Sequence, residues 1–164
     1  MPVDRRRILV GLGAALAAGV VPAVAQQSAR FAAIRVDAEP LAQRGGSSAA
    51  TLIAQLMPGK MQDVFGDLLA PHDRGLPVLV ARIDTIYMPG YADSRQGPLY
   101  GLQQDTLSGA GLVVSGRVVQ AETPLHVNLP SSYSGAYYLP DIDQRRIESL
   151  CTQFAYWLRR GMQL

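Results

Sequence analysis

Two apolar runs separated by a long polar stretch set the pattern of this chain. Residues 78–88 are rich in β-branched and aromatic side chains, with Pro77 before them and Pro89-Gly90 after. Residues 112–119 have the same character. Short runs of this kind, bounded by turn residues, predict buried strands at the middle of a sheet. Residues 31–38 alternate well enough for a first strand, closed by Pro40. Residues 125–129 (Leu-His-Val-Asn-Leu) alternate cleanly and predict a fourth, half-exposed strand. Glu122-Thr123-Pro124 would be the turn before it, and the proline suits an edge position.

Helical periodicity appears twice. Leu52, Ile53, Leu56, Met61, Val64, Phe65, Leu68 and Leu69 form an apolar stripe over residues 49–69, led by Ser47 or Ser48 as N-cap. Pro58-Gly59 interrupts the stripe, which predicts a kink, or two helices with Pro58 near the start of the second. Near the end, Ile147, Leu150, Cys151, Phe154 and Leu158 make a second stripe, with Trp157 at its margin. Asp141 and Gln144 fit a capping box, while Arg145, Arg146, Glu148, Arg159 and Arg160 are expected on the surface of that helix. A helix between two strands predicts a crossover with the first two strands parallel, and the later strands return antiparallel. The expected fold class is α+β: a small mixed sheet of about four strands in β-α-β-β-β-α order, with two helices packed against it.

The start of the chain changes the picture. Arg5-Arg6-Arg7, the Ala/Gly-rich apolar residues 8–21 and Ala23-Val24-Ala25 read as an export signal, cleaved after residue 25, with residues 26–164 a single domain. The alternative, a membrane anchor, has only residues 8–24 to span with, interrupted by Gly11, Gly13, Gly19 and Pro22. Arg5-Arg6-Arg7-Ile8-Leu9 resembles the twin-arginine export pattern, and an arginine-rich start also suits the general secretory route. The expected location is periplasmic or secreted, with no stable membrane span after cleavage. Charge supports no nucleic-acid partner. The signal holds three of the 15 basic and one of the 13 acidic residues, leaving 12 against 12.

Candidate chemistry is sparse. Gly45-Gly46-Ser47-Ser48 lacks the Lys-Ser/Thr of a phosphate loop. Neither Ser108 nor Ser115 sits in a Gly-x-Ser-x-Gly elbow, and His72-Asp73 is a weak start for a metal site, so no cofactor, metal or catalytic set is assigned. Cys151 reads as a small buried hydrophobe, with a disulfide-linked dimer through an exposed thiol as the alternative. Asp84 is expected in an ion pair with Arg82, Arg35 or Arg117.

Tyrosines carry the stronger signal. Tyr91 and Tyr100 fall within residues 89–106, filled out by Ser, Gly, Gln and Asp, and Tyr133, Tyr137 and Tyr138 within 130–140, filled out by Ser and Gly. Tyrosine in such loops gives broad contact area with hydrogen bonding. In an antiparallel run the two connections leave the same end of the sheet. The expected function is an exported, non-catalytic envelope protein that binds a protein or glycan through these five tyrosines. A small periplasmic hydrolase using His72 or His126, and a structural subunit of an envelope assembly, are the alternatives. The element order resembles the α/β domains of bacterial envelope proteins such as the lipopolysaccharide-assembly lipoprotein and the amino-terminal part of TolB. That resemblance implies an envelope setting and no particular residue.

Overall fold

The structure, a computed structural model, describes residues 30–90, 103–135 and 139–164. The export signal, Tyr91, Tyr100, Tyr137 and Tyr138 lie outside the described residues. The fold is α+β, with four strands in spatial order 1-2-3-4: β1 (Ala33–Asp37), β2 (Val78–Tyr87), β3 (Gln104–Ser115) and β4 (Val118–Pro130). β1 runs parallel to β2, and β2, β3 and β4 form an antiparallel meander. Among the described residues three α-helices accompany the sheet: α1 (Glu39–Gln43), α2 (Ser47–Phe65) and α3 (Ile142–Gly161). Among the described residues no helix is long and apolar enough to cross a membrane.

α2 and α3 pack beside each other on one face of the sheet. Leu79, Ala81, Ile83, Leu107 and Val127 point up into Ile53, Met57, Met61 and Phe65 of α2 and Leu150, Phe154 and Leu158 of α3. Each fully buried side chain of this size contributes about 1.5–3 kcal/mol of transfer free energy. Phe31 and Phe65 meet edge to face at 6.5 Å, closing the core below β1. Cys151 is buried, so the exposed-thiol alternative is ruled out, and burial pushes its thiol up to about 12. Among the described residues no helix packs on the other face of the sheet.

Several boundaries differ from expectation. α1 adds a five-residue helix after β1, where Pro40 opens a helix as well as closing a strand. α2 is continuous through Pro58, neither broken nor divided. Pro58 and Ala54, whose carbonyl loses its donor, both sit on the exposed side, where water replaces the missing bond. Gly46, not Ser47 or Ser48, is the N-cap of α2; Asp141 holds the N-cap position of α3 without a side-chain capping bond. Its carboxylate goes to Arg145 instead, at 2.7 Å.

The largest revision concerns residues 112–119, which are not one strand. A tight turn at Gly116 (φ +61°) splits them into the end of β3 and the start of β4. β3 reaches back to Gln104 through residues expected in a loop, and Glu122-Thr123-Pro124 lies inside β4 rather than in a turn. Pro124 stands on the edge strand, as its missing N–H requires.

Gly109 is fixed by close approach. A β-bulge in β2 between Ile83 and Thr85 brings the Arg82 carbonyl to 2.0 Å from where a Cβ on Gly109 would stand. Because the obstacle is backbone, Gly109→Ala is expected to lower stability by about 1–3 kcal/mol, read from chemical denaturation midpoints.

Arg159 joins α3 to the 3-10 turn after α2 through Asp67, at 2.7 and 2.8 Å. This hydrogen-bonded guanidinium holds the Asp67 carboxyl below its ordinary 3.8, and Arg145 does the same for Asp141. A depressed folded pKa stabilises fully above the unfolded value and is lost as the pH falls through the folded one. Stability should therefore drop below about pH 4, and less so in Arg159→Met, as seen in urea midpoints across the acid range.

Candidate functional site

The end of the sheet where β2 leaves and β3 begins is held by a buried ion pair. Arg146 and Asp105 are each 2% exposed. The guanidinium meets the carboxylate in a fork, Nε to Oδ2 at 2.8 Å and Nη2 to Oδ1 at 2.5 Å. Ser131 donates its hydroxyl to Asp105 Oδ1 at 2.6 Å, and Arg146 also donates to Asp143 Oδ1 and to the Pro89 carbonyl, both at 3.1 Å. Two planar groups satisfied on several sides are what make burial of a charge pair tolerable.

Arg146 thus corrects the expectation that it lies on the surface. The signal was present, because Ile142, Arg146, Leu150 and Phe154 recur every four residues along the buried stripe of α3. Asp105 was missed altogether, since its neighbours Gln103, Gln104 and Thr106 read as loop.

This cluster roots both tyrosine-bearing connections. One leaves through Pro89 and returns at Gln103; the other begins at Ser131, whose N–H donates to the Gln103 carbonyl at 2.9 Å. The expectation that both leave one end of the sheet is met, with Tyr87 opposite Thr106 and Gln104 opposite Pro130. Of the five candidate tyrosines only Tyr133 is described; it lies on the 3-10 turn Ser131–Ser134 and is exposed.

The helix-free face of the same end adds groups that sequence reasoning did not assemble. Register places Tyr87, Thr106 and Asn128 in one row across three strands, and Thr85, Ser108 and His126 in the next. Tyr87 is 63% exposed. Toward the sheet centre the character changes to charge: Arg82 binds Asp84 at 3.0 and 3.2 Å and Glu122 at 2.9 Å. Asp84 therefore has the structural partner expected of it, and Asp84 and Glu122 push the Arg82 pKa up.

Ser108 Oγ lies 2.6 Å from His126 Nδ1, a pair that alternation alone could not reveal because it needs the β3–β4 register. Among the described residues no carboxylate bonds to this imidazole. β3 lies between β2 and β4, where main-chain donors are spent on the ladders rather than held for an oxyanion. His72 sits exposed in the turn before β2. Among the described residues no group of three or more His, Cys, Asp or Glu is placed to hold a metal ion.

Replacing Arg146 alone by methionine leaves Asp105 charged and buried, and should cost about 3–5 kcal/mol in denaturation. Pairing Arg146→Met with Asp105→Leu should recover much of that loss, because an apolar pair carries no desolvation penalty.

No protein-family model matches the chain, and no curated protein matches it. A solved structure described as "Crystal structure of uncharacterized protein" is similar with a TM-score of 0.39 and 14% sequence identity. The likeness covers 68% of this chain and 62% of that one, so the chain spans less than two thirds of its length.

Proposed function

We propose that this chain is an exported, non-catalytic envelope protein that binds a glycan or protein partner at the tyrosine-bearing end of its sheet. The observation that supports it is the pair of rows Tyr87–Thr106–Asn128 and Thr85–Ser108–His126, set side by side on a face that no helix covers among the described residues. Hydroxyl, amide and imidazole groups at strand spacing, flanked by an aromatic ring, offer alternating donors and acceptors with no carboxylate, lysine or arginine among them. That chemistry matches the hydroxyls of a sugar better than a charged ligand. The tyrosine-bearing connections leave from the same end, and the buried Arg146–Asp105 pair gives them a rigid base.

Binding of the mature protein to a glycan array, and to proteins of its own envelope fraction, is the direct test. Tyr87→Ala combined with Asn128→Ala removes two exposed groups without touching the core, and is expected to weaken binding at least about tenfold with thermal unfolding unchanged. Unaltered binding in this variant, and in one lacking Tyr91, Tyr100, Tyr133 and Tyr137, would sink the reading.

The Ser108–His126 contact favours a second reading, a small hydrolase in which His126 activates Ser108. A fluorophosphonate probe that labels the protein but not Ser108→Ala would support it; no labelling would remove it.

A further inference from the structure

We propose that the free outer edge of β1, with the groove beside it, takes up an extended peptide carrying a basic side chain as an added strand. The phase of β1 decides which backbone groups are available. Ala32 donates its N–H to the Pro77 carbonyl at 2.8 Å, so Ala32, Ile34 and Val36 direct both main-chain groups toward β2. The residues between them point outward. Phe31 confirms the alternation: its N–H reaches the Leu68 carbonyl and its own carbonyl accepts from Ala70, both at 2.9 Å. Past that bridge, the outward N–H and C=O groups of Ala33 and Arg35 have no partner among the described residues. A row of unpaired donors and acceptors on a sheet edge is a template for another strand.

What lies beside this edge makes the template selective. A cavity of about 390 Å³ opens between the end of β1 and α2, lined among others by Val36, Asp37, Glu39, Ala50, Thr51 and Ala54. The α2 side chains there are small, which leaves room for alternate side chains of a strand lying about 4.8 Å from β1. Asp37 and Glu39 bring two carboxylates to the groove and no arginine or lysine lines it, so a lysine or arginine on the incoming strand is the complementary charge. This surface belongs to the opposite edge of the sheet from β4 and is independent of the tyrosine-bearing end.

Selection of short random peptides displayed on phage against the mature protein, followed by calorimetric titration of synthetic copies, tests the proposal. Recovered peptides are expected to carry Lys or Arg, and to slow hydrogen exchange at the Ala33 and Arg35 amides. Ala54→Trp, at an exposed helix position, fills the groove and should weaken binding at least about tenfold. Arg35→Pro removes an outward N–H without touching the ladder to β2 and should do the same, with thermal unfolding reporting whether each variant is folded. Glu39→Gln should flatten the salt dependence of binding. The proposal fails if no peptide is enriched, or if enriched peptides bind Ala54→Trp as well as the parent. It fails equally if the edge is taken by a second copy of the chain, seen as a dimer by solution mass that Arg35→Pro dissociates.

Discussion

Four chain segments converge on one buried ion pair, and the arrangement of this protein follows from satisfying it. Arg146 rises from the first turns of α3, Asp105 opens β3, Ser131 follows β4 and Pro89 follows β2. An arginine and a carboxylate each only 2% exposed cannot be left short of hydrogen-bond partners without a penalty of several kcal/mol, so all four segments must arrive together. A hydrophobic contact at this point would tolerate sliding; a forked pair with fixed oxygen positions does not. The pair therefore sets the register between α3 and the sheet, and also fixes where the two long connections begin. Stability alone would not require a charge here, since apolar replacements of buried pairs often serve as well. What the charge adds is a single geometry.

The sheet is built unequally on its two faces. Under the helices, β3 presents Asp105, Leu107, Gly109 and Gly111, and the glycines let α3 and the β2 bulge come close. On the opposite face the residues change along the strands, from Val78, Val80, Leu112 and Val114 through the Arg82–Asp84–Glu122 cluster to the Tyr, Thr, Ser, His and Asn rows. An antiparallel sheet with one solvated face needs polar residues there, so polarity itself calls for no function. Their sorting into a hydrogen-bonding end without carboxylate, lysine or arginine, beside the tyrosine-bearing connections, is what distinguishes this face.

Much of the fold was legible because its signals were local and periodic. The α3 stripe, β2, the parallel β1–β2 pair and the edge position of Pro124 all follow from spacing and residue type. The hairpin at Gly116 was not legible, because apolar residues continue across the turn and hide it. The part of β3 before Leu112 was hidden for the opposite reason: two of its core-facing positions, Gly109 and Gly111, are glycine, which pack by close approach and leave no hydrophobic signal. Arg146 failed through its charge, although its place on the stripe marked it as inward. The Ser108–His126 contact and the rows beside it depend on pairing register, which joins residues 18 apart in the chain and has no imprint on either strand alone.

The two edges of the sheet are managed in different ways, and the difference bears on what each can do. β4 is the longer, from Val118 to Pro130, and a long flat edge invites pairing with other chains. Pro124 in its middle withholds a donor, and Glu122 is fixed in an ion pair with Arg82 beside it. β1 has only five residues, and the edge just before it is closed by the bridge from Phe31 to Leu69. β1 itself carries neither proline nor a covering segment on its outer edge among the described residues. Instead it faces small side chains of α2 across an open groove. A short edge limits indiscriminate pairing by offering few bonds, while the groove supplies side-chain contacts that only a fitting strand can use. Protection on one side and selective access on the other are thus properties of the same four-stranded sheet.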